Sequence, residues 1–217
     1  MNTQTIRKIA YQGEPGAFSH QAIKRWFGEF TPAPYPTFEA AFAAVRDGEC
    51  ELGMIPVENS VAGRVTDVHH LLPNSGLKII GERFLPIEMI LMGVPETELA
   101  NIRVAASHTM ALLQCRKALK ELNITAEVFH DTAGAARALS ETRELDRAVI
   151  APEPAAELYG LKILRRHMED AQNNTTRFLI LTTEDRVVEP APGIDCMTSF
   201  IFRVKNIPAS LYKALGG

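Results

Sequence analysis

Cysteine is scarce. Cys50, Cys115 and Cys196 stand far apart in 217 residues, with no C-x-x-C pair. That argues against a disulfide frame and a cysteine zinc site, and it suits a reducing compartment, the cytoplasm. No apolar run approaches the roughly 20 residues needed to span a bilayer. Met1 to Lys8 is polar and lacks the apolar core of a secretory signal. Neither sign of charge dominates: a net charge of -3 gives no reason to expect a nucleic-acid or membrane surface. G-x-G-x-x-G is missing, which excludes the dinucleotide fingerprint. There is no Gly-Lys-Ser/Thr, so no P-loop, and no G-x-S-x-G, so a Ser-His-Asp hydrolase is disfavoured. Internal repeats and low-complexity tracts are absent. His69 and His70 are adjacent, so on a helix they point apart and make a poor metal pair.

What is present is a polar cluster, Asn173-Asn174-Thr175-Thr176-Arg177-Phe178, at the mouth of an apolar run, Leu179-Ile180-Leu181. The run reads as a buried strand. Its amides can orient a ligand, Arg177 can hold a carboxylate with two parallel hydrogen bonds, and a threonine hydroxyl can hand a proton to a departing oxygen. From these residues alone a solvated turn capped by Asn and Thr stays open beside the functional reading.

The rest of the chain alternates strand and helix patterns from Lys8 to Leu181, which predicts a largely parallel α/β architecture. A strand at Lys8–Tyr11 runs into Gly13-Glu14-Pro15-Gly16-Ala17-Phe18-Ser19, a ligand loop or a plain tight turn, with Ser19 placed to cap the next helix. Thr37 caps a helix whose Phe38, Ala41, Phe42 and Val45 share one face, and Gly48 ends it. A strand at Leu52–Val57 meets Glu58, Asn59 and Ser60, either ligand groups at a strand's carboxyl end or the cap of a following helix. Leu77 to Val94 is apolar and broken at Pro86, predicting two strands, the second entering a new subdomain. Further strands are predicted at Ile102–Ala106, Ala126–Phe129, Arg147–Ala151 and Lys162–Leu164. Ser107-His108-Thr109 opens a helix whose Gln114 falls off the apolar stripe, and Asp131 or Thr132 caps another. Helix N-termini meeting at one place would favour an anionic ligand. Residues 184–195 read as a charged, proline-rich linker before a strand at Thr198–Val204 and a helix at Pro208–Leu215.

The ordered set of motifs resembles the prephenate dehydratase family. It comprises Gly13 to Ser19, Pro56-Val57-Glu58-Asn59-Ser60, Ser107-His108 with Ala111-Leu112 and Gln114-Cys115, Asp131-Thr132-Ala133, and Asn174-Thr175-Thr176-Arg177-Phe178. Each motif is weak and the set is specific. Thr109-Met110 departs from the family, which often has proline after the histidine. The resemblance implies a two-lobed α/β fold like a type II periplasmic binding protein, with the site in the cleft. It implies a catalytic domain at 1–183, with lobe 1 near 1–81 and 165–183 and lobe 2 near 82–164. Residues 196–217 look like the opening of an ACT (α+β) regulatory domain, including Asn206-Ile207-Pro208. Its phenylalanine-binding motifs are not reached, so phenylalanine is not expected to bind this chain.

The implied activity is that of a carbon–oxygen lyase, turning prephenate into phenylpyruvate by decarboxylation and loss of water, with neither metal nor organic cofactor. Arogenate, bearing an amine for the ketone, is the alternative substrate. A binding module of the same fold for a small anion is the alternative class. Thr176 is expected to donate to the departing hydroxyl. Glu58, protonated by burial, is the expected proton source. Asn59 and Ser60 complete the catalytic set. Ser107, Gln114, Thr175, Arg177, Phe178 and Ser19 are the expected substrate contacts, Arg177 as a carboxylate partner or a buttress and Phe178 chiefly as packing. A homodimer or tetramer is expected, since the family commonly pairs through both domains.

Overall fold

Apolar runs bounded by turn residues become short strands here, and the strands fall into two separate sheets. The computed structural model describes residues 7–187, Gly193 and residues 204–216. In chain order the strands are β1 (Lys8–Gln12), β2 (Thr31–Tyr35), β3 (Leu52–Asn59), β4 (Gly63–Arg64), β5 (Lys78–Pro86), β6 (Ile90–Gly93), β7 (Val104–His108), β8 (Thr125–Phe129), β9 (Arg147–Ala151), β10 (Lys162–Arg165) and β11 (Thr175–Thr182). The helices are α1 (Phe18–Trp26), α2 (Phe38–Arg46), α3 (Thr66–Leu71), α4 (Thr109–Gln114), α5 (Arg116–Glu121), α6 (Thr132–Thr142), α7 (Glu153–Tyr159) and α8 (Ser210–Leu215).

The first sheet has the order β2-β1-β3-β11-β5, with β4 beside β3; the second has the order β10-β6-β9-β7-β8. β1 is parallel to β2 and β3, and β7 to β8 and β9. β11 is antiparallel to β3 and β5, as β6 is to β9 and β10. The sheets are therefore mixed rather than largely parallel. β5 and β11 are the outgoing and returning passes between the lobes. No helical crossover within one sheet constrains them to run parallel to their neighbours. β2 was not anticipated, because Pro32 and Pro34 argue against a strand. They are tolerated because β2 is an outer strand, paired on one side only, with Pro32 opposite Ile9 and Pro34 opposite Tyr11.

Local signals account for the helix ends. Thr37 accepts a hydrogen bond from Ala40 N–H at 3.2 Å, and Ala41, Phe42 and Val45 are buried as the stripe predicts. Asp131 caps α6 by accepting from Gly134 N–H at 2.6 Å. Gly160 ends α7 at φ +65°, the left-handed cap that glycine adopts without a Cβ penalty.

The chain leaves the first sheet at Pro86 and returns to it at Thr175, where the resemblance implied boundaries near Gly81 and Leu164. The two connections lie side by side. Ile87 N–H donates to Asn174 O at 2.8 Å, and Met168 N–H donates to Met89 O at 2.9 Å. One apolar cluster passes from Ile9, Met54 and Phe178 through Ile87, Met89 and Met168 to Leu112 and Ile150, so the core is continuous through the join. The chain divides into two compact units, Met1–Val187 and Val188–Gly217. In the second, α8 is a six-residue exposed helix. The expected strand at Thr198–Val204 lies outside the described residues except for its last. No helix among the described residues is long and apolar enough to cross a membrane.

Candidate active site

The cleft between the two sheets is a cavity of about 330 Å³. Its polar wall comprises Gln12, Ser19, Asn59, His108, Gln114, His130, Asp131, Thr132 and Thr176, and its apolar floor includes Phe18, Ile87, Met89 and Phe178. A larger hollow of about 600 Å³ lies on lobe 2, between α5 and β8, and holds none of the residues expected to carry chemistry. Size alone does not mark the site.

Strand parity decides which of the expected residues face the cleft, because successive side chains on a strand point to opposite faces. On β11, Thr176 and Phe178 line the cleft and Arg177 does not. Arg177 Nε instead donates to Glu82 Oε2 of β5 at 2.7 Å, so this guanidinium braces two strands. Replacing Arg177 with Gln is expected to leave KM within threefold of wild type and to cost under about 1 kcal/mol of stability. A KM rise beyond tenfold in steady-state kinetics would return Arg177 to the site. On β3, Asn59 faces the cleft and Glu58 is exposed on the opposite face, outside the lining. The burial expected of Glu58 is not found: the side chain is exposed and lies outside the cleft lining.

Three further expectations change. Ser107 is fully buried, and its hydroxyl donates to Ile150 O at 2.6 Å; it ties β7 to β9 and does not reach the cleft. Ser60 is exposed and holds the motif loop together. Its hydroxyl donates to Asn173 O at 2.8 Å and accepts from Thr175 N–H at 2.9 Å. Thr175 contributes those backbone bonds rather than a side chain in the lining. Ser19 does line the cleft, but it sits in the first turn of α1 and does not cap it; Ala17 is the cap residue and offers no side-chain acceptor.

Asn59 ends its strand in a turn, not in a helix cap. Its Oδ1 accepts from Val61 N–H at 3.0 Å and Ala62 N–H at 2.8 Å. Its Nδ2 donates to Thr176 Oγ1 at 3.0 Å and to Asn174 Oδ1 at 2.7 Å. Among the described residues nothing accepts the Thr176 proton. The hydroxyl therefore receives one hydrogen bond and keeps its own for a ligand. Asn174 Nδ2 donates to Gln114 Oε1 of lobe 2 at 2.7 Å. Asn174 was missed as a site residue. Counting back from Phe178 by twos finds it, on the same face as Thr176.

The glycine loop forms the opposite rim. Gly13 and Gly16 have φ +116° and +92°, and a Cβ on Gly16 would come within 3.1 Å of the Ala155 backbone of α7. Tyr159 at the end of α7 donates to Pro15 O at 2.7 Å, so the lobes touch here. His20 Nδ1 accepts from Gly16 N–H at 2.8 Å, and its ring stacks on Tyr11 at 5.9 Å between centroids. Burial first, and Lys24 second, hold the His20 pKa below the usual histidine range, in keeping with a neutral ring that can accept. His108 caps α4 through Nδ1, which accepts from Met110 N–H at 3.2 Å and so leaves the ring proton on Nε2. No Lys or Arg lines the cleft among its described residues. The donors it offers are amide, hydroxyl and imidazole groups and the uncapped first turn of the nine-residue α1, beside one carboxylate, Asp131. No cluster of three or more His, Cys, Asp or Glu suited to a metal occurs among the described residues.

Fold and cleft together define a two-lobed α/β protein with a hydroxyl-bearing polar site at the join of its lobes. The family model described as prephenate dehydratase matches residues 9–186. The chain belongs to the prephenate dehydratase family, a family of lyases. It is 46% identical over all of its 217 residues, and over 76% of the relative, to a bifunctional N-acyl-homoserine lactone acylase/prephenate dehydratase of Komagataeibacter europaeus. It is 38% identical to arogenate dehydratase/prephenate dehydratase 1, chloroplastic, of Arabidopsis thaliana, covering 96% of this chain and 53% of that one. The chain thus spans about half the length of that plant relative. The crystal structure of a prephenate dehydratase from Arthrobacter aurescens in complex with L-Phe matches with a TM-score of 0.78 at 29% identity, over 85% of this chain and 63% of that one.

Proposed function

We propose that this chain catalyses the decarboxylative dehydration of prephenate to phenylpyruvate, with Thr176 as hydrogen-bond donor to the departing hydroxyl. The observation that carries the reading is the Thr176 hydroxyl, held by Asn59 at 3.0 Å with no acceptor for its own proton among the described residues, in a cleft whose other lining is polar side chains, one carboxylate (Asp131) paired with His130, and apolar surface. In the reaction the ring C–O bond breaks and its oxygen leaves as water, taking up one proton. The bond from the ring to its carboxylate also breaks, carbon dioxide departs, and the electron pair left behind completes the aromatic ring. Aromatisation supplies the driving force, so the protein need only hold the dianion and assist the leaving oxygen. A cleft without Arg or Lys suits this task, because a tight ion pair on the ring carboxylate would oppose its loss. A neutral threonine is a weak acid. The Asn59 donor stabilises charge developing on Oγ1, and solvent in the cleft replaces the proton.

With Glu58 on the far face, Glu58→Gln is expected to change kcat less than threefold. A fall in kcat of about a hundredfold or more would restore the carboxylate as proton source. Arogenate is the second substrate to try, since the plant relative carries both activities in its name. No feature of the cleft favours the acylase activity named for the Komagataeibacter relative. The reading includes a cytoplasmic homodimer or tetramer and an ACT-type regulatory segment from Cys196 onward. Incubating the protein with prephenate and following phenylpyruvate absorbance tests the proposal; saturable binding without turnover would leave only an anion-binding module.

A further inference from the structure

We propose that Asn174 is a positioning residue that fixes the direction of a hydrogen-bond relay across the two lobes, so that Gln114 offers its Nε2 donor, and not its oxygen, to the substrate. The inference rests on the reaction proposed above and adds to it the origin of the cleft's polarity.

An amide side chain can be turned over at little cost in shape, so its direction must be set by its partners. Here the direction starts from two backbone groups. Val61 N–H and Ala62 N–H both need an acceptor, and both reach Asn59. That places Asn59 Oδ1 in the turn and Nδ2 toward β11. Nδ2 needs acceptors, and it finds Thr176 Oγ1 and Asn174 Oδ1. With its oxygen so engaged, Asn174 can present only Nδ2 to lobe 2, where Gln114 Oε1 accepts it. Gln114 is then left with Nε2 as its remaining polar atom. Nε2 has no partner among the described residues, and the side chain lines the cleft. Asn174 itself is 4% exposed, so water does not compete for either end. Its backbone is equally fixed: its carbonyl accepts from Ile87 N–H at 2.8 Å, and Asn173 O is held by Ser60. One residue at the join thus passes a choice made in a lobe 1 turn to a donor on lobe 2. An anionic substrate meets N–H there; the reversed amide would meet it with a carbonyl oxygen.

The test separates direction from mere support. Asn174→Asp keeps the shape and the acceptor for Asn59 but cannot donate as a carboxylate. Gln114 must then turn to donate to it, leaving oxygen toward the cleft. The expected result is a KM for prephenate raised about tenfold or more, the order of one lost bond to a charged group, with kcat within threefold of wild type. Gln114→Glu keeps the acceptor for Asn174 and puts oxygen in the cleft, so it should raise KM similarly. Gln114→Ala should raise KM in the wild-type background but by less than twofold when combined with Asn174→Asp, because the donor is already gone. The Gln114 side-chain amide, followed by nitrogen-resolved NMR, should exchange faster with water in wild type than in Asn174→Asp. Additive KM effects, an unchanged KM in Asn174→Asp, or an unchanged amide signal would overturn the relay. Wild type inactive on both prephenate and arogenate would sink the proposed reaction instead, while the amide signal still decides the relay.

Discussion

Thr176→Ala is expected to keep the fold and lose two to four orders of magnitude in kcat, the usual worth of one positioned proton donor (about 10²–10⁴). The hydroxyl is partly exposed at the cleft wall, so removing it opens no sealed cavity. The neighbouring network also survives, since Asn59 retains its bonds to Asn174, Val61 and Ala62. Melting temperature should therefore move little while turnover collapses. KM should change less than kcat, because the interaction matters most when the leaving oxygen gains charge. Thr176→Ser, which restores the hydroxyl without the methyl group, should recover much of the loss. Steady-state rates near wild type in the alanine variant would end the assignment of Thr176.

Phe178→Ala should have the largest effect on stability. The ring is 1% exposed, on the strand that pairs with both β3 and β5, and it belongs to the apolar cluster that joins the lobes. Deleting a buried phenyl ring costs about 3–5 kcal/mol, part transfer and part residual cavity. At roughly 2–4 °C per kcal/mol for a domain of this size, the midpoint should fall by about 6–20 °C in calorimetry. Because the same ring lines the cleft, substrate affinity should weaken as well. A midpoint shift below 2 °C would show that the ring packs against less than the structure places around it.

The order of strands and helices was largely legible, because alternating and helical periodicities report directly on which residues meet water. The α2 stripe is an instance. β2 was not legible: proline reads as a strand breaker, and only its outer place in the sheet makes Pro32 and Pro34 acceptable. The chain's return to the first sheet at β11 is a long-range pairing that no local pattern encodes. In the site, residue type was legible and facing was not. Glu58 and Asn59 are neighbours, and a shift of one residue moves a side chain to the other face. Ser107 was misread because β7 runs on through His108, so the hydroxyl expected at a strand mouth lies one pleat inside. The motif pointed to Arg177, the strongest-looking anion ligand, yet Glu82 lies 95 residues away in the chain and is invisible to local reading.

The doubled connection between the lobes also bears on how a ligand enters. Strapped together by Ile87 to Asn174 and by Met89 to Met168, the two passes are held against sliding past one another. Thr176 and Asn59 stand together beside this connection, on adjacent strands of one sheet. The contact of Tyr159 with Pro15 lies at the opposite rim of the cleft. Breaking the rim contact therefore need not dismantle the pair of Thr176 and Asn59.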